Sequence, residues 1–135
     1  MLSHPEEPIP NVHTVSELLE LITADPATWQ EQWVSARFVK HPEVELGIYW
    51  QFDEDAPYFD VSYRAQVKPA KVLASFLASH PTCEVIDWCP GRLLTVRANG
   101  ATARNFGEVI LTVVSELHGP VDQRLAATHS PMGRA

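Results

Sequence analysis

Apolar and polar positions change period along this chain, and each change marks a new element. Val15, Leu18, Leu19 and Ile22 recur on one helical face, and Thr14 with Glu17 three residues on has the pattern of a capping box at its start. Asp25 before Pro26 reads as a second N-cap with proline at the first helical position, opening a turn or two through Thr28 and Gln30. If that helix extends far enough, Trp29 and Trp33 stack one turn apart.

From Val34 the period becomes twofold. Val34, Ala36 and Phe38 alternate with Ser35 and Arg37, His41-Pro42 makes a turn, and Val44, Leu46, Ile48, Trp50 and Phe52 form a five-position apolar row. The loop Asp53-Glu54-Asp55-Ala56-Pro57 leads to a third strand with Phe59, Val61 and Tyr63 facing one way. Pro69 then opens a helix whose Val72, Leu73, Phe76, Leu77 and His80 share an arc opposite Lys71, Ser75 and Ala78, and Pro81 stops it. Cys83 to Trp88 and Leu93 to Ala98 read as a hairpin around Cys89-Pro90-Gly91, ended by Asn99-Gly100. Thr102 caps a last helix carrying Phe106, Val109, Ile110, Val113, Val114 and Leu117, closed by Gly119-Pro120.

The predicted order is α-β-β-β-α-β-β-α in a single domain over residues 13–120. Residues 1–12, with Pro5, Pro8 and Pro10, are expected as an extended arm, and 121–135 as a flexible tail. Each strand row and helix stripe needs one apolar partner, so the expected fold is α+β: two layers, an antiparallel five-stranded sheet with helices on one face. The row Trp50, Phe52, Phe59 and Tyr63 belongs to the core between them. The outer sheet face is expected to present Tyr49, Tyr58 and Trp88, and with the widened arc of Leu111 and Val114 on the last helix this leaves more apolar surface than one layer covers, which points to a homodimer.

Composition leaves this picture standing: 135 residues, 45% of them hydrophobic, suffice for one core without staples. Charge adds to it. Residues 1–60 hold twelve acids against Arg37 and Lys40, whereas residues 61–135 hold five acids against eight bases, within a net charge of −7. An acidic half attracts cationic partners and repels phosphate backbones, so a protein with a basic surface is the expected partner and nucleic acid is not. The apolar stretch Val109 to Val114 is far shorter than a membrane span, and the acidic, proline-rich start is not an export signal. With two cysteines and no secretory pattern, reduced thiols in a cytoplasm are expected.

Four groups of residues carry candidate chemistry. Asp53, Glu54 and Asp55, followed by Tyr58 and Asp60, offer a docking point for a basic partner; they lack the glycine and glutamate of a calcium loop, whose twelfth position here is Arg64. His80, Cys83, Asp87 and Cys89 fall within ten residues, and a nucleophilic Cys89 exposed at the hairpin tip is the weak catalytic candidate, with His80 and Asp87 beside it. Arg64, Lys68, Lys71, Arg92 and Arg97 would form an anion-binding patch, or one for the acidic half of another copy, if their strands converge. The six histidines, His4, His13, His41, His80, His118 and His129, are scattered singly without metal-ligand spacing, and no phosphate-binding glycine loop occurs, so no metal and no cofactor is expected.

The order of elements and the acidity are similar to the small type III secretion chaperones, a resemblance that implies an escort for another protein. The leading expectation is thus a non-catalytic protein-binding module, chaperone-like or an immunity protein, with Asp53, Glu54, Asp55 and Asp60 supplying charge and Tyr49, Tyr58 and Trp88 contact area. The alternatives are a small-molecule-binding protein or small cysteine-dependent enzyme using the Cys83–Gly91 hairpin with His80, and a structural subunit of a larger assembly.

Overall fold

The computed structural model describes residues 6–132; His4 and Pro5 lie outside the described residues. One sheet holds seven strands: β1 (Glu7–Pro8), β2 (Gln32–Phe38), β3 (His41–Ile48), β4 (Tyr58–Ser62), β5 (Cys83–Cys89), β6 (Leu93–Ala98) and β7 (Leu125–Pro131). Their spatial order is β1-β7-β2-β3-β4-β6-β5, and every pairing is antiparallel. Helices α1 (Val15–Ala24), α2 (Pro26–Trp29), α3 (Pro69–Val72), α4 (Ala74–Ser79) and α5 (Ala103–His118) complete the chain.

Capping sets the two long helices as the sequence requires. Thr14 Oγ1 accepts from the Glu17 N–H at 3.1 Å while the His13 N–H donates to Glu17 Oε1 at 3.0 Å, and Thr102 Oγ1 accepts from the Asn105 N–H at 3.2 Å. The apolar stripes of α1 and α5 meet each other and the sheet: Leu18, Ile22, Phe106, Ile110, Val113 and Val114 are fully buried against Phe38, Ile48, Phe59 and Val96. Phe106 is the centre of this layer, 5.8 Å from the Phe59 ring and 5.5 Å from that of Trp50. Each such side chain contributes about 1.5–3 kcal/mol relative to exposure. The helices approach closely because α5 carries Gly107, where a Cβ would stand 3.3 Å from Leu19 Cδ1.

The expected five-stranded sheet is corrected to seven, and both extra strands come from segments read as arm and tail. β7 lies between β1 and β2, pairing with β2 from Gln32↔Pro131 to Phe38↔Leu125. Leu125 and Ala127 are the apolar members of its inward row, which His129 continues beside Trp29, and Ala126, Thr128 and Ser130 face outward, so its alternation is too weak to be seen in sequence. β1 ends the sheet, an edge position that tolerates Pro8 without an N–H to donate.

Further differences have local causes. The five-position row of the second strand stops at Ile48: the chain leaves the ladder at Tyr49, a 3-10 turn over Trp50–Phe52 drops Trp50 into the core, and Gln51 Nε2 anchors it by donating to Gln32 O at 3.0 Å. The turn before that strand is Val39-Lys40, not His41-Pro42; Pro42 lies in β3 beyond the reach of β4, where no ladder hydrogen bond is asked of it. The helix expected after Pro69 is broken at Leu73, so α3 and α4 are separate turns and Val72 is 40% exposed. Trp29 and Trp33 do not stack: α2 ends at Trp29, whose buried ring meets His129 edge-on at 5.3 Å, and Trp33 is already in β2. Val114 is wholly inside the core rather than an exposed widening of the last helix.

Candidate functional site

The inner sheet face is filled by the helices, so the outer face is where strand alternation places side chains in reach of a partner. On β2, Trp33, Ser35 and Arg37 point outward; on β3, Glu45 and Gly47; on β4, Tyr58, Asp60 and Ser62. Trp33 is 43% exposed. It meets Tyr49 and Phe52 edge-on at 6.1 and 6.2 Å, and Tyr49 stacks on Tyr58 at 4.7 Å. The four rings form one contiguous, half-open aromatic patch. Gly47 makes room for it, since a Cβ there would stand 3.1 Å from the Tyr49 hydroxyl.

Beside the patch, Asp60 takes two hydroxyl donors: Tyr49 Oη donates to Oδ2 at 2.8 Å, and Thr95 Oγ1 donates to Oδ1. Partial burial, and then the facing Asp60 carboxylate, push the Tyr49 phenol well above its ordinary value of 10. Tyr49 therefore stays a neutral donor throughout the physiological range, and the Asp60 carboxyl is fixed in orientation rather than free.

The acidic loop sits at the end of β4 nearest this patch. Asp53 Oδ1 accepts from the Asp55 and Ala56 N–H groups, both at 3.1 Å, and the Asp55 carbonyl accepts from the Gly100 N–H at 2.7 Å. The backbone is thereby pinned while Glu54 and Asp55 project into solvent. Among the described residues none of Asp53, Glu54 and Asp55 forms an ion pair. The outer arginine near it, Arg97 opposite Tyr58, is engaged by Glu84, and Arg37 pairs with Glu45 at 2.8 Å toward the far end of the face.

At the other end of β4 the sign reverses. Arg64 follows the strand and Arg92 precedes β6, and the Tyr63 N–H donating to the Arg92 carbonyl at 2.9 Å places both at that end. They line a shallow groove of about 350 Å3 that runs across Ser35, Glu45, Gly47, Tyr49, Asp60 and Ser62. Neither arginine is ion-paired among the described residues. A second, more apolar groove of about 470 Å3 lies between α1 and α5, lined by Leu19, Ala103, Gly107 and Leu111.

The expected contact residues divide. Tyr49, Tyr58, Asp60 and the loop 53–55 come together, but Trp88 is not with them. A bulge between Val85 and Asp87 shifts the phase of β5, so Asp87 faces Thr95 on the outside and Trp88 stands opposite the buried Leu94, packed against the core. Phe52, expected in the core, belongs instead to the outer patch. The thiol candidates are also apart. Cys83 and Cys89 begin and end β5, about 20 Å from one another at strand rise. His80 stacks on Phe76 at 4.3 Å, with Nδ1 3.0 Å from the Phe76 carbonyl, and shares a 310 Å3 pocket with Cys83, not with Cys89. Burial pushes the Cys83 thiol up, the opposite of activation, and Asp87 Oδ1 accepts from the adjacent Trp88 N–H at 2.8 Å.

The basic patch is split in the same way, with Arg64 and Arg92 together, Arg97 paired to Glu84, Lys68 just before α3 and Lys71 within it. His118 Nε2 lies 2.7 Å from the Ser62 carbonyl and His129 Nδ1 lies 2.8 Å from Gln32 Oε1. Among the described residues no cluster of three or more His, Cys, Asp or Glu could hold a metal, and no helix is long and apolar enough to cross a membrane.

Sequence reasoning passed over Trp33 and Thr95 as site residues. Trp33 was legible, since it has the parity opposite to Val34 and Ala36. Thr95 was not, because its partner Asp60 lies on a strand 35 residues away. No protein-family model matches the chain, and neither the curated proteins nor the solved structures include one found similar to it.

Proposed function

We propose that this chain is a non-catalytic protein-binding module that docks a cationic surface of another protein on the outer face of its sheet, masking or escorting it as a chaperone or an immunity protein does. One observation carries the reading: a contiguous patch of Trp33, Tyr49, Phe52 and Tyr58 stands half-open beside three carboxylates that form no ion pair among the described residues. Aromatic rings supply contact area at low entropic cost and accept guanidinium groups on their faces, and the acids supply steering and register. The positions of His80, Cys83 and Cys89 lend nothing to the thiol-enzyme alternative.

The test is quantitative capture of a net-basic protein from the native cell, followed by titration of the purified pair. Glu54→Arg with Asp55→Arg, which leaves the turn-forming Asp53 in place, is expected to weaken binding at least about tenfold, and Trp33→Ala with Tyr58→Ala by a similar factor. Binding of the wild-type chain should fall as salt rises. Unchanged affinity in both double variants contradicts the proposal.

A further inference from the structure

The same outer face carries both halves of one recognition. At one end are aromatic rings rimmed by Asp53, Glu54 and Asp55, chemistry that receives arginine; at the other are two arginines, Arg64 and Arg92, which form no ion pair among the described residues, the Glu45 that shares their groove being held by Arg37. The ends are separated by the five residues of β4, about 17 Å at strand rise. We infer that in the free protein the occupant of this face is a second copy of this chain, bound antiparallel across a two-fold axis so that each copy's Arg64 and Arg92 meet the other's acidic loop and tyrosines. The inference rests on the reading of the outer face as a docking surface and names what fills it when no other partner is present.

The geometry permits this without distortion. An axis lying between the two sheets, at right angles to β4 and level with Asp60, exchanges the ends of the strand and superposes like strand over like. Twisted sheets pack face to face with strands within about 30° and about 10 Å apart, a gap that arginine side chains span. Asp60, level with the axis, faces its own copy, but both of its oxygens already accept from Tyr49 and Thr95. Seven strands spaced by about 4.8 Å and averaging about 20 Å in length, β1 being much shorter, offer roughly 700 Å2 before side-chain relief, close to the roughly 800 Å2 per partner of a stable interface.

Charge reversal at the two ends gives a test with its own control. Arg64→Glu with Arg92→Glu makes both ends net acidic; Glu54→Arg with Asp55→Arg, with Asp53 kept, makes both ends net basic. All four side chains lie outside the strands and are exposed, and circular dichroism checks that each variant folds. Sedimentation of the wild-type chain across the micromolar range is expected to show a monomer–dimer equilibrium, with each double variant alone shifted at least about tenfold toward monomer. An equimolar mixture of the two variants is expected to regain wild-type dimerisation, because both contacts across the axis are then between opposite charges. A wild-type chain that stays monomeric, variants that dimerise as the wild type does, or a mixture that fails to associate would each overturn the inference. Such a result leaves the cationic-partner reading intact, since that is tested separately by capture on Arg64→Glu/Arg92→Glu, which retains the aromatic patch and the acidic loop.

Discussion

The hydroxyl of Tyr49 donates to Asp60 Oδ2 at 2.8 Å, tying the residue that leaves β3 to the middle of β4, and the Tyr49 ring stacks on Tyr58 one strand over. This single side chain joins the aromatic patch to the charged part of the face. Its ordering also removes a rotamer that docking would otherwise have to freeze, which favours binding.

The link has a pH signature. The Tyr49 phenol is raised above 10 in the folded protein, chiefly by burial and then by Asp60, so its contribution to stability is complete below pH 10 and is lost as pH rises from there toward the folded value. Urea unfolding of the wild-type chain is expected to weaken more steeply above about pH 10 than that of Tyr49→Phe, and at pH 8 the variant is less stable by about 1 kcal/mol for the lost hydrogen bond. Parallel pH profiles for the two proteins would contradict this account of Tyr49.

β7 is a structural strand rather than a tail. Leu125, 1% exposed at its start, is expected to cost about 2–5 kcal/mol when changed to Ala, whereas Ala126→Ser on the exposed side of the same strand is expected to stay within about 0.5 kcal/mol. Equal midpoints for Leu125→Ala and the wild type in urea would show that the segment does not hold the sheet.

The two thiols are expected to differ in reactivity. Cys83 is buried with its thiol raised by desolvation, while Cys89 is half-buried at the hairpin, so a maleimide or disulfide probe should label Cys89 first and Cys83 at least about tenfold more slowly in the native state. Mass spectrometry of peptides after timed labelling reads both rates. Faster labelling of Cys83 would require an opening of the pocket it shares with His80.

What the sequence made legible followed from strong local periods. The stripe Val15, Leu18, Leu19, Ile22, the capping pairs at Thr14 and Thr102, and the alternation of β2, β4 and β6 are visible because each buries one face completely. The failures came where the signal is not local. β7 becomes a strand because β2 and β1 flank it, with only Leu125 and Ala127 to announce it. Trp88 changed sides because a one-residue bulge reverses the parity of everything after it, and Phe52 left the core because the chain turned at Tyr49. Within the candidate site, Asp60, Tyr49, Tyr58 and the acidic loop were foreseen from parity and charge; Arg64 and Arg92 were named too, but their separation from Arg97 follows from the β4–β6 register, which sets Arg97 opposite Tyr58 at the far end, where Glu84 pairs with it.

The central claim is that partners engage the outer sheet face, and side-chain footprinting with hydroxyl radicals tests it most directly because the face is built of reactive aromatic rings. With Arg64→Glu/Arg92→Glu as the reporter, so that self-association does not mask the surface, oxidation of Trp33 and Tyr58 is expected to fall several-fold on saturation with the captured basic protein while Leu111 in the helical groove is unchanged. Protection of Leu111 with Trp33 and Tyr58 still fully reactive would place the interaction on the helices and contradict the account.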